Sequence, residues 1–176
     1  MTLEAFADTI LPGQKRVADD VAIAGVAAGP GAVAAGALEL LGWPATGITG
    51  LLPDLVKALN SHAASYAATR ELALDPRLPA FPALAFEHRT ALVLILTATG
   101  HQEKAMWVLL ALFSYMAFDA AAHLHTASAV TGGHPGLATL GLTQPDDDGL
   151  WRFPRNSYGR SLADPHPDTT PTGSPA

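Results

Sequence analysis

Residues 87–130 read EHRTALVLILTATGHQEKAMWVLLALFSYMAFDAAAHLHTASAV, and this stretch decides the fold. Two segments of it, from Glu87 to Thr99 and from Glu103 to about Val130, are apolar on most sides when drawn as helices. Helices with this character are buried in the centre of a domain. The residues between them, Gly100–His101–Gln102, suit a short helix–helix connection. The pattern predicts a helical hairpin at the buried centre of an all-helical domain.

Three more helices are predicted before the hairpin, from capping residues, prolines and helical spacing of apolar side chains. They run over Thr2–Ile10, from Pro30 to about Leu41, and from Leu51 or Pro53 to about Leu74. Between them we expect a loop at 14–29, a proline-punctuated connector at 75–84 and one short turn at 137–142. No stretch alternates between apolar and polar residues. The expected fold is therefore all-α, an irregular bundle of about five helices.

The last 32 or so residues differ from this body. Six of the 14 prolines lie between Pro145 and Ala176, so neither a helix nor a central strand is expected there. The sequence therefore predicts a helical domain over residues 1–144 and an extended, proline-rich C-terminal arm over residues 145–176. Large aromatic rings and arginines are typical of interface hot spots. The candidate partner-binding residues of the arm are Trp151, Arg152, Phe153, Arg155, Tyr158 and Arg160.

Composition excludes several classes of function. A formal net charge of −6 argues against nucleic-acid binding, because no basic stripe exists to displace counterions from phosphates. With no cysteine, the chain can form neither disulfides nor thiolate metal centres. The longest apolar run, Met106 to Phe118, is shorter than the roughly 20 residues of a spanning helix. No membrane span is expected.

Seven histidines raise the question of a metal site. His123 and His125 are two residues apart, which places them on different sides of a regular helix and prevents them from chelating one ion. Nothing in the sequence brings the other five together. We therefore predict no metal site.

The best local constellation is Tyr115, Asp119 and His123, at i, i+4 and i+8 on the predicted core helix. Asp119 is the only acid between Met106 and Val130, and a carboxylate there needs a partner. Two interpretations stay open. The pair could orient a general base, with help from His125 and Tyr115, or it could be a satisfied polar pair at a helix–helix or subunit contact.

Standard catalytic motifs are absent from the sequence. It has no GxSxG elbow, no phosphate-binding GxxxxGK[ST] loop and no HExxH. The glycine-rich stretch from Ala24 to Leu38 follows no predicted strand, so it does not meet the requirements of a nucleotide fingerprint.

Two pieces of the chain, ADTILPG at Ala7–Gly13 and PGAVAAGALELL at Pro30–Leu41, resemble the opening of the gluconate 2-dehydrogenase subunit 3 family. The later pieces HLHTASAVTGGHPGL and GLWRFP look like an actinobacterial relative of that family. The resemblance implies a non-catalytic small subunit that stabilises or matures a large FAD-dependent oxidoreductase of the glucose–methanol–choline type. It also implies that the chain has no cofactor of its own, that FAD is in the partner, and that the two form a hetero-oligomer.

Exported complexes of that family often have a twin-arginine signal on the small subunit. The N-terminus MTLEAFADTILPG shows no such signal, so the expected localisation is cytoplasmic, with export by a partner's signal left open. Two alternatives to the accessory subunit remain. One is a stand-alone enzyme using Asp119 and His123 in an inter-helix pocket, and the other is a helical binder of an apolar small molecule.

Overall fold

The computed structural model describes residues 1–13, 23–24 and 29–144, and within these ranges it contains helices and turns but no strand. The all-α prediction is confirmed. The predicted arm and most of the predicted 14–29 loop lie outside the described residues, and the boundary after residue 144 stays a prediction. The α-helices are α1 (Thr2–Ile10), α2 (Ala37–Gly42), α3 (Leu52–Thr69), α4 (Ala80–Ala83), α5 (Phe86–Thr97), α6 (Lys104–Asp119), α7 (Thr126–Thr131) and α8 (Pro135–Thr139).

Helix α6 lies at the centre of the core, where it packs against α1, α2, α5 and α8. The predicted hairpin of α5 and α6 is therefore present. Trp107 of α6 is 1% exposed and is the largest fully buried side chain among the described residues. Burying an apolar side chain of this size contributes about 3 kcal/mol. Ser114 on the same side of α6 is also buried, and its hydroxyl donates to the Leu110 carbonyl at 2.8 Å, so it leaves no unsatisfied polar group in the core.

The first helix has the predicted bounds. The segment 75–84, which was predicted to be an irregular connector, is partly helical. Residues 80–83 of that connector form the short helix α4. Its Phe81 is fully buried, 6.2 Å from the ring of Phe6 in α1. The backbone amide of Phe81 donates to the Asn60 side chain of α3 at 3.0 Å. A single aromatic residue thus anchors the connector between two helices.

The second and third predicted helices are too long. Helix α2 begins only at Ala37, because Gly36 has φ +87°, a left-handed conformation that ends regular helix and favours glycine. Helix α3 ends at Thr69, and Glu71 just beyond it also has positive φ, at +54°. In both cases the chain turns where the apolar pattern alone suggested continuation.

The prediction that the second leg of the hairpin runs to Val130 is wrong. Helix α6 ends at Asp119, the chain reverses at Ala121 with φ +46°, and a separate helix α7 begins at Thr126. The reversal allows α8 to pack against the end of α6. Here Gly136 lies against the backbone of Phe118 so closely that a Cβ at position 136 would overlap its carbonyl group. Tertiary packing therefore overrides the high helix propensity of the alanines after Asp119.

The segments 11–13 and 29–32 lie side by side. The Ala32 amide donates to the Leu11 carbonyl at 2.9 Å. The two glycine–proline pieces on which the family resemblance rests are therefore neighbours in space, at the end of α1 and the approach to α2. They form a structural junction of the domain.

None of the helices in the described ranges combines the length and the apolar character needed to cross a bilayer.

Candidate functional site

The predicted stripe of Tyr115, Asp119 and His123 does not exist as a helical face. Tyr115 and Asp119 are one turn apart on α6, but His123 follows the chain reversal. Within the described residues, no hydrogen bond or ion pair joins Asp119 to His123. His125 is exposed and directly precedes α7. The structure therefore does not bring Asp119 and His123 together as an acid–base pair, and it places neither Tyr115 nor His125 beside such a pair.

Asp119 is a carboxylate in an unfavourable place. Burial raises its pKa, and its Oδ1 atom finds no hydrogen-bond donor in the part of the chain that the structure describes. It is also the last residue of α6, where the negative end of the helix dipole disfavours an anion. Its charge opposes folding at neutral pH.

Replacing Asp119 by asparagine should stabilise the protein at pH 7 by about 0.5–1 kcal/mol, because it removes a charge that burial and the helix dipole both disfavour. The folded-state pKa of Asp119 lies above the unfolded value of about 3.8. The destabilisation by its charge is therefore absent below about pH 3.8, grows as the pH rises from there to the folded-state pKa, and is complete above it. Urea denaturation from pH 3 to 7 measures this. Asp54→Asn, at the favourable N-terminal end of α3, is the matched control and should not stabilise. Equal stability of wild type and Asp119→Asn at pH 7 would contradict the prediction.

His123 packs against the left-handed turn before α2. A Cβ at Gly36 would overlap its imidazole, and the ring of His134 lies 6.3 Å away. Burial, with a smaller contribution from His134, lowers the pKa of His123, while Glu39 opposes the shift. The His123 Nδ1 atom has no hydrogen-bond partner within the described ranges. The surroundings of this imidazole therefore disfavour its charged form.

His134 has a structural role. Its Nε2 lies 2.9 Å from the Ala35 carbonyl, while its Nδ1 accepts from the Leu137 amide at 3.3 Å. Both contacts are satisfied together when Nε2 carries the proton, which assigns the tautomer. The side chain caps the N-terminus of α8 and ties it to the turn before α2.

A second polar cluster, which sequence reasoning did not find, lies where α3 passes the turn of the hairpin. We call His62, His101 and Glu103 the His62 cluster. The His62 Nε2 and Glu103 Oε2 atoms are 2.7 Å apart, and the buried Trp107 donates from Nε1 to the same oxygen at 3.1 Å. These two hydrogen bonds, with that of His62 the larger effect, lower the pKa of Glu103.

His101 completes the cluster from the hairpin turn. Its Nδ1 accepts from the Glu103 amide at 3.2 Å, and its ring lies 5.8 Å from that of His62. One ligand atom from each of the three side chains lies within 4.8 Å of the others. The sequence signal for this cluster was the spacing of two residues between His101 and Glu103 in a predicted tight turn. Their third member is 41 positions away and becomes adjacent only through the fold.

The hairpin also has an exposed apolar surface, which we call the hairpin face. Its members are 41–54% exposed aliphatic side chains on α5 and α6: Leu94, Ile95, Val108 and Leu112. Burial of the hairpin on most sides was expected, and on this outer side the expectation is wrong. No charged residue occurs from 90 to 102 or from 105 to 118. A solvent-exposed helix side normally has such residues.

The predicted partner-binding residues of the arm, Trp151, Arg152, Phe153, Arg155, Tyr158 and Arg160, all lie outside the described residues. Their role stays a prediction. For the small-molecule alternative, the described residues offer an apolar hollow of about 260 Å³, lined by residues 72–74 and 83–85 and by His88. It is not enclosed and is smaller than the usual 300–1,000 Å³ of ligand sites, so it gives that alternative little support.

The fold and these surfaces define a class: a small all-α protein with an uncharged, exposed apolar helical face and a peripheral histidine–carboxylate cluster. The chain belongs to DUF5987, a family of unknown function, whose model matches residues 1–176. Comparison with curated proteins and with solved structures finds no match.

Proposed function

We propose that this protein is a non-catalytic accessory subunit that binds a larger protein through the hairpin face. The observation that carries the proposal is the exposure of Leu94 and Leu112, by 54% and 48%, in the stretches of α5 and α6 that contain no charged residue, 90–97 and 105–118. Several exposed apolar side chains on neighbouring helices are typical of an interaction site. Covering these side chains with a partner would release ordered water at about 25 cal/mol per Å².

The partner, in this proposal, is a FAD-dependent oxidoreductase subunit. Its support is the resemblance of residues 7–13 and 30–41 to the small subunits of such enzymes. The lack of a standard catalytic motif in the sequence is consistent with a subunit that supplies stability and not chemistry. The general-base alternative has less support, because Asp119 and His123 are not paired in the described part of the chain.

Glutamate at two positions of the hairpin face tests this. Full-length wild type, purified from its native host, should retain a protein with flavin absorbance in near-stoichiometric amount. The variant Leu94→Glu/Leu112→Glu should lose at least ten-fold of that protein, because two charges cannot be buried in an apolar interface. Size-exclusion chromatography should also show that the isolated wild type self-associates and that the double variant does not.

The matched control is Leu78→Glu, a leucine of similar exposure (41%) that lies in the connector before α4, outside the hairpin face. It should retain the flavoprotein as wild type does. Retention of the flavoprotein by the double variant would refute the role of the face. Purification of wild type without any flavin-bearing protein would refute the identity of the partner.

A further inference from the structure

The His62 cluster brings two imidazoles and one carboxylate together from two separate parts of the chain. His62 projects from α3, while His101 and Glu103 belong to the turn between α5 and α6. His62 and His101 are half-buried and Glu103 is exposed, so solvent and ions reach the cluster. The hydrogen bonds of these side chains lie within or directly beside the cluster: His62 bonds to Glu103, and Glu103 bonds to His62 and to Trp107.

We propose that His62, His101 and Glu103 bind one divalent transition-metal ion, with Zn²⁺ as the best-fitting ion. Imidazole nitrogen and carboxylate oxygen are ligands that Zn²⁺ prefers, and three protein ligands leave a fourth position for water. Ligand bonds of about 2.0–2.2 Å place ligand atoms roughly 3.4 Å apart around a tetrahedral ion. The observed spacing of up to 4.8 Å therefore requires only a small closure of the cluster.

The metal-free arrangement places a proton where the ion would bind. The His62 Nε2 and Glu103 Oε2 atoms, 2.7 Å apart, share that proton. Zinc binding at Nε2 displaces this proton, and a neutral His62 then carries its proton on Nδ1. His101 has to give up the 3.2 Å hydrogen bond that its Nδ1 accepts from the Glu103 amide, whichever of its nitrogens coordinates. We therefore expect its ring to rotate in the turn.

Trp107 packs against the cluster from the protein core. Its indole is 1% exposed, lies edge-on to the His62 ring at 5.9 Å and donates to the Glu103 carboxylate. Such a hydrogen bond orients a coordinating carboxylate and is typical of the residues around metal ligands. It also provides a signal, because the fluorescence of a buried indole responds to a change in its hydrogen-bonded carboxylate.

The test is titration of chelator-treated, tag-free full-length protein with Zn²⁺ by isothermal titration calorimetry. Wild type should bind one ion with a dissociation constant in the micromolar range or lower. His62→Ala, His101→Ala and Glu103→Gln should each weaken binding at least ten-fold. The matched control is His125→Ala, which removes an exposed imidazole outside the cluster and should bind as wild type does.

Two further readouts make the result decisive. In a Trp43→Phe/Trp151→Phe background, Trp107 fluorescence should change on Zn²⁺ addition and stay constant when His101→Ala is added. Zn²⁺ at 100 times the dissociation constant should raise the melting temperature of wild type but not of His101→Ala. His101 lies in a turn, so this variant tests the site even if His62→Ala fails to fold. No binding below about 100 μM, or equal binding by wild type and His101→Ala, would overturn the proposal. Neither outcome depends on the partner protein.

Discussion

Replacing Arg89 by alanine should destabilise the protein by about 3 kcal/mol, because Arg89 is a buried cation that joins α5 to α1. Its side chain is 9% exposed. One guanidinium nitrogen donates to the Ala5 carbonyl at 3.1 Å, and the other lies 3.4 Å from the Asp8 carboxylate. Alanine removes both contacts and leaves the volume of the guanidinium unfilled. Thermal unfolding should show a midpoint roughly 10 °C below wild type.

The matched control is Arg77→Ala. Arg77 also pairs with an aspartate, Asp75, but its side chain is 87% exposed. An ion pair in solvent is screened and contributes little, so this variant should melt with wild type. Arg89→Met, which restores apolar volume, should recover part of the loss. If Arg89→Ala and Arg77→Ala have the same melting temperature, Arg89 does not hold α1 against α5.

The hairpin was predictable because its determinants are local. Apolar residues at helical spacing and a short glycine-containing turn specify α5 and α6 without reference to the rest of the chain. The end of α6 was not predictable in this way. Alanines 120–122 are among the strongest helix formers, and nothing beside them signals a stop. At this end of α6, Gly136 from a distant part of the sequence packs against Phe118, a contact that local sequence cannot reveal.

The candidate sites follow the same division. Asp119 was singled out as an isolated acid in an apolar segment, a property that is visible in the sequence. Its pairing with His123 assumed a continuous helix and fails with it. The His62 cluster depends on α3 passing the hairpin turn, and the contact of His134 with Ala35 spans 99 positions. Spacing rules detect partners within a single helix, whereas the His62 cluster and the His134–Ala35 contact each join separate elements.

The hairpin has two distinct surfaces with different chemistry. Its outer side presents the aliphatic hairpin face, and its turn contributes His101 and Glu103 to the His62 cluster. A protein bound to the face would leave the core contacts of α6 unchanged, because those involve its opposite side. Substitutions on the face can therefore separate partner binding from folding, and substitutions in the cluster can separate metal binding from both.

Gly136→Ala should destabilise the protein by about 3 kcal/mol, through a different cause. A Cβ at position 136 would overlap the carbonyl of Phe118, and backbone atoms cannot move aside as a flexible side chain does. Helix α8 would have to separate from α6, and His134, which caps α8, would be drawn away from Ala35. The control is Gly42→Ala at the end of α2, where an added Cβ would meet no other part of the described structure within 4 Å and alanine should be neutral or slightly stabilising. Urea denaturation compares the two. If both variants unfold at the same urea concentration, the close contact of α8 with α6 does not determine where α6 ends.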